Sequence, residues 1–141
     1  MPSNSLATII LMVKDRREFV LRWLTYMSAS NCDYKIIIAD GGYTKLSKTD
    51  LDRFNTKLDL LHLKKITDVN YESLIKKINY ALKFVKTKFI MIADDDDFIS
   101  TQNIDFHINF LSNNPEFSSS GGQKIGVFGF NNGKYKLNKN S

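Results

Sequence analysis

Leu6-Ala7-Thr8-Ile9-Ile10-Leu11-Met12-Val13 is an unbroken apolar run interrupted only by the hydroxyl of Thr8. A short run of this kind, rich in β-branched side chains, suits a strand covered on both faces, as strands of parallel sheets are. Asp15 follows with Glu18 three positions on, the spacing of a capping box. Phe19, Val20, Trp23, Leu24 and Met27 then recur along one face of a helix ending near Ser30. The opening is therefore strand then helix, and the rest of the chain repeats that alternation.

Residues 34–39 read as a second buried strand, broken by Asp40-Gly41-Gly42, and residues 46–54 as a short helix. Residues 58–65 carry Leu58, Leu60, Leu61 and Leu63 and predict a third strand, with its exposure left open. Leu74, Ile75, Ile78, Ala81, Leu82 and Val85 form a further helical stripe, and residues 89–93 a fourth strand. Ile104, His107, Ile108 and Leu111 share a helix face closed by Asn113-Asn114-Pro115, which gives His107 a packing role. Residues 118–122 are a connector, and 124–130 with 134–137 predict a C-terminal β-hairpin about Asn132-Gly133. Strands alternating with helices predict an α/β fold, a mainly parallel sheet with helices on its faces, in a single domain over residues 1–141.

At 141 residues with 43% apolar composition, one modest core is within reach. No apolar run approaches the roughly 20 residues of a transmembrane helix. Met1-Pro2-Ser3-Asn4-Ser5 lacks the basic flank of a secretory signal and Cys32 is alone, so a cytoplasmic setting is expected. The net charge of +5 invites a nucleic-acid reading. Its distribution argues against one, because Lys supplies 16 of the 20 cations and they are scattered without interleaved aromatics.

The acids are concentrated instead. Asp94, Asp95, Asp96 and Asp97 are consecutive, directly after a predicted strand and before a predicted helix. In parallel α/β sheets ligands bind at the carboxyl ends of strands. Two carboxylates about 6 Å apart repel by roughly 3 kcal/mol at an effective dielectric near 20, so such a cluster in a cleft calls for a cation. Oxygen ligands favour Mg²⁺, Mn²⁺ or Ca²⁺. On an extended chain Asp94 and Asp96 project to one side and Asp95 and Asp97 to the other. The competing reading makes the four acids a solvated cap on the helix from Thr101. Asp40, ending Ile36-Ile37-Ile38-Ala39-Asp40-Gly41-Gly42, offers an acceptor for a base N–H or ribose hydroxyls where glycine lets a ligand approach; an unliganded Asp-Gly turn explains it equally. Met12-Val13-Lys14-Asp15 lies beside both, at a helix N-terminus that favours an anion.

Taken in order, these three strand ends resemble the nucleotide-binding half of the family-two glycosyltransferases of GT-A fold, over nearly the whole chain from Thr8 to about Gly133. The resemblance implies a Rossmann-like three-layer α/β/α arrangement. Asp40 is similar to the acid that reads uracil in that family, and residues 94–97 to its Asp-x-Asp motif. By that alignment Asp96 contacts the metal, joined by Asp94, while Asp94 and Asp95 lie near ribose or metal waters. Met12, Val13, Lys14, Asp40, Asp94 and Asp95 are the implied nucleotide-binding set. The chain departs from the pattern in carrying Met12-Val13-Lys14-Asp15 for the usual Pro-Thr-Tyr-Asn, which puts Lys14 in place of an aromatic contact, and Thr101 where Pro is frequent.

The implied activity is transfer of sugar from a nucleotide-sugar donor, a UDP-sugar by the Asp40 match, to a hydroxyl of a glycan or lipid-linked glycan. The implied cofactor is Mn²⁺ or Mg²⁺. The family's acceptor half and general base lie downstream of the acidic motif, where this chain has only Asp105 and Glu116 as acids. The expectation is therefore the N-terminal part of a longer catalytic domain, with the catalytic base unassigned. A noncatalytic nucleotide-sugar or cation-binding fragment of the same fold is the alternative. A Mg²⁺-dependent phosphoryl-transfer domain is a third, weakened because no Asp-x-Asp-x-Thr follows the first strand. Lys76 and Lys77 could supply a phosphate cation, but their helix predicts solvent exposure for both.

Overall fold

The computed structural model of the chain describes residues 6–123 and the backbone of 126–129 and 135–138. Four strands, β1 (Ala7–Val13), β2 (Lys35–Asp40), β3 (Asp59–Leu63) and β4 (Phe89–Asp94), form one all-parallel sheet in the order β3-β2-β1-β4. Between them run α1 (Arg17–Ala29), α2 (Lys48–Asp52) and α3 (Tyr71–Leu82), and α4 (Thr101–Asn113) follows β4. The architecture is the expected α/β one. Strands β5 (Gly126–Gly129) and β6 (Tyr135–Asn138) pair antiparallel, while the turn expected at Asn132-Gly133 lies outside the described residues.

The strand order fixes the helix layers. Moving outward from β1 to β2 to β3, right-handed crossovers place α1 and α2 on one face; the return from β3 to β4 places α3 on the other. The core follows this division. Ile9, Leu11, Ile36 and Ile38 pack with Val20, Trp23, Leu24 and Met27 of α1, Leu51 of α2 and Ile104 of α4. On the opposite face Ile10, Ile37 and Ala39 pack with Ala81 of α3, joined by Met12, Leu61 and Leu63. Both faces of β1 and β2 are thus covered, which accounts for their continuous apolar sequence. β3 is half-buried along its whole length, as its edge position requires.

Local chemistry departs from expectation at two helices. Asp15 does not cap α1: it takes a left-handed φ of 52°, and its carboxylate accepts from the Thr44 N–H at 2.9 Å. Arg16 is the N-cap, without a side-chain cap bond, and Glu18 pairs with Arg17 rather than closing a capping box. A well-formed box occurs instead at α3, where Asn70 and Ser73 each accept from the other's backbone N–H. The buried face of α3 is also rotated from the predicted stripe, since Ser73, Lys77 and Ala81 point inward while Ile75 and Leu82 stay exposed. Small side chains on the inner face let α3 approach the sheet.

Candidate functional site

The chain reverses its direction across the sheet at β1, whose neighbours β2 and β4 are reached by connections on opposite faces. Such a switch point leaves a crevice beyond the carboxyl ends of the strands. In register, Val13 of β1 lies opposite Asp40 of β2, and Met12 lies opposite Asp94 of β4. Two acids therefore flank the end of one strand.

A cleft of about 560 Å³ opens here, lined by Met12, Val13, Lys14 and Arg16 on one side, by Asp94, Asp95 and Asp96 on another, and by Asp68 to Tyr71 with Leu74 and Lys77 from the α3 end. A larger hollow of about 660 Å³, lined by Cys32, Lys57 and Asp59 among others, sits by the amino ends of β2 and β3. It lacks the strand-end acids that line the smaller one.

The chain leaves β4 after Asp94 and turns, with the Asp97 N–H donating to the Asp94 carbonyl at 3.4 Å. Asp94 and Asp96 are exposed, whereas Asp95 is only 4% exposed. None of the four acids is the N-cap of α4: that position is Ser100, which makes no side-chain cap bond, and the first turn of the helix holds no acid. Arg16 fills the space between the acids instead, with Nη1 3.0 Å from Asp95 Oδ1 and both terminal nitrogens 3.2 Å from Asp96 Oδ2. Asp95 Oδ2 is buried without a hydrogen-bond partner. Burial raises the Asp95 carboxyl above its ordinary value and Arg16 offsets part of that rise. Among the described residues no three acid, His or Cys side chains converge as a ready-made metal cage.

Asp40 stands apart from the cleft lining. It is 1% exposed; its Oδ1 accepts from the Gly42 N–H at 3.0 Å, and its Oδ2 from the Leu46 N–H at 2.8 Å and from His62 Nε2 at 3.0 Å. Burial pushes its pKa up, but the His62 contact and the two N–H donors outweigh this and hold it below the ordinary value. Lys14 does line the cleft, with Nζ 5.7 Å from the centre of the Tyr43 ring.

Lys77 is the main correction. It is 3% exposed rather than solvated, ion-paired with the Asp68 carboxylate, and donates to the Val13 carbonyl at 3.1 Å. Lys76 is exposed as expected, paired with Glu72 at 2.6 Å. Asp68 in turn donates its N–H to the Gly41 carbonyl at 2.8 Å, and Gly41 donates to Val13 at 2.8 Å. This mesh ties the ends of β1 and β2 to the segment entering α3. Arg16, His62 and Asp68 carried no signal in the sequence, and Lys77 was expected to be exposed. The one available signal was Lys77 itself, four residues from Ser73 and from Ala81, on the small-residue face of its helix.

The family described as Glycosyl transferase family 2 matches residues 8–139. Among solved structures, the crystal structure of S. aureus TarS 1-349 is similar, with a TM-score of 0.56 at 18% identity. The match covers 75% of this chain and 32% of that one, so the chain spans about a third of that structure. No curated protein matches the sequence.

Proposed function

The chain belongs to glycosyl transferase family 2, and we propose that it binds a nucleotide-sugar donor, a UDP-sugar, through Mn²⁺ or Mg²⁺ and directs the sugar to a hydroxyl of a glycan or lipid-linked glycan. The observation that carries this reading is the switch-point cleft itself. It brings Met12, Val13 and Lys14 together with Asp94, Asp95 and Asp96 at the one place where a parallel sheet offers a ligand crevice.

The donor set suits a hard divalent cation. Mg²⁺ is commonly held by one or two carboxylates with substrate phosphates completing the shell, so two exposed carboxylates without a third protein ligand are enough. The buried, unpartnered Asp95 Oδ2 is a further oxygen in want of a positive partner. Asp96 and Asp94 would hold the cation, which when bound supplies Lewis-acid charge to the departing diphosphate. Lys14 and the strand end at Met12 and Val13 would position the nucleotide. Asp40 stays assigned to uracil recognition; the route consistent with its bonding is exchange of the His62 contact for a base N–H.

Neither of the two acids that follow the cluster, Asp105 and Glu116, is assigned as the acceptor's base. Asp105 accepts from the Tyr34 hydroxyl, and Tyr34 precedes β2 at the opposite end of the sheet. We assign the base to polypeptide beyond this stretch or to a partner, which makes the chain the donor-binding part of a longer catalytic domain. A noncatalytic donor-binding fragment is the second reading, favoured by the same position of Asp105. A cytoplasmic setting belongs to the proposal and is supported by the free, buried thiol of Cys32.

Thermal unfolding tests the nucleotide class. UDP with Mn²⁺ is expected to raise the midpoint beyond either alone, by linkage, and beyond ADP or GDP with Mn²⁺. Equal stabilisation by all three nucleotides would contradict the uridine assignment.

A further inference from the structure

We propose that Arg16 is the resident counter-ion of the acidic cluster and must leave it for a divalent cation to bind, so that Arg16 sets the cation affinity of the site. The inference rests on the metal reading of Asp94 and Asp96 given above.

Three observations carry it. The guanidinium contacts both Asp95 and Asp96, at 3.0 and 3.2 Å, and so places a positive charge on one oxygen of each. Asp95 is 4% exposed and its second oxygen lacks a partner; an unpaired buried charge is costly, which explains why a cation of the chain's own sits there. A carboxylate has lone pairs enough for both, but a divalent ion bound at Asp96 would lie against the guanidinium, and two cations a few ångströms apart in a partly buried cleft repel strongly, which drives the guanidinium out.

Departure of Arg16 is mechanically simple. Its side chain is 42% exposed, and its backbone is the N-cap of α1, behind an Asp15 pinned to Thr44. Exchange therefore needs only side-chain rotation. The Arg16 guanidinium also lies 4.3 Å from the centre of the Phe19 ring, a face on which it can remain stacked after releasing the acids. Lysine would not replace it, since an ammonium carries the charge without the fork that spans two carboxylates.

The test is direct binding of Mn²⁺ alone, read from the free-ion paramagnetic resonance signal, to the wild type, Arg16→Gln, Arg16→Lys and Asp96→Asn. If Arg16 occupies the cluster about nine-tenths of the time, Arg16→Gln binds Mn²⁺ about tenfold tighter. Arg16→Lys falls between, and Asp96→Asn binds more weakly than wild type. Unchanged or weaker binding in Arg16→Gln, with Asp96→Asn still impaired, would overturn the exchange and leave the metal site standing. Wild-type affinity in Arg16→Lys would reduce the effect to net charge and overturn the exchange as well. Absence of Mn²⁺ binding in all four folded proteins would overturn the metal reading, and the exchange with it.

Discussion

Asp40 and Asp95 are both buried acids at strand ends, and their surroundings drive them in opposite directions. Asp40 receives two backbone N–H groups and His62, and its pKa lies below 3.8; Asp95 has burial as its largest influence and lies above 3.8. For Asp40 the linkage has a definite sign. A native carboxyl with a depressed pKa stabilises the fold above its unfolded value, and that contribution is lost as pH falls through the lower native value. The stability gap between wild type and Asp40→Asn, measured by urea unfolding, is expected to narrow as pH falls through and below the ordinary carboxylate range. A gap that stays constant across this range would contradict the assignment. Sequence reading placed both acids at strand ends but could not tell their environments apart. What separates them is contacts from Leu46, six residues on in the loop after β2, from His62 on the neighbouring strand β3, and from Arg16, 79 residues before Asp95.

At the scale of elements, the ends of β1 and β2 are held to α3 by a mesh that leaves no spare volume. A Cβ built on Gly41 would come within 2.2 Å of the Asp68 carboxylate, and that carboxylate is fixed by its ion pair to Lys77. Gly41→Ala is therefore expected to destabilise the fold by about 1–3 kcal/mol, as overpacking does, visible as a lower urea midpoint with an unchanged slope. Neutral behaviour would mean that Asp68 can move aside, and that the mesh is looser than the geometry indicates. The four parallel strands were legible to within a residue or two, β1 and β2 because burial on both faces leaves an apolar run, β3 and β4 from short apolar segments between helical patterns. The turn of α3 was legible only in part: its stripe of Leu74, Ile75, Ile78, Ala81, Leu82 and Val85 predicted Ala81 inward correctly, but the other fully buried positions are Ser73 and Lys77, while Ile75 and Leu82 are exposed. Hydrophobic periodicity assumes that the most apolar face is the buried one, and a buried lysine with a partner nine residues away defeats that assumption. The same applies at α1, where Asp15 has the spacing of a cap but is drawn to Thr44.

For the molecule as a whole, the order β3-β2-β1-β4 matters more than any single motif. It places strand-end acids on either side of β1, Asp40 on β2 and Asp94 on β4, with the cleft opening on the Asp94 side. The same order leaves β4 at the sheet edge with Ile90 and Ile92 exposed at 47% and 49%. Parallel sheets are ordinarily covered on both faces, and the similar TarS structure extends well beyond the part this chain matches. Among the described residues no helix is long and apolar enough to cross a membrane. Cation-dependent donor binding at the switch-point cleft is measurable by calorimetric titration of UDP into the 141-residue chain. The account predicts binding with Mn²⁺ present, loss of that binding when Mn²⁺ is withheld, and loss again in Asp96→Ala. Binding that is indifferent to both the metal and Asp96 would contradict it.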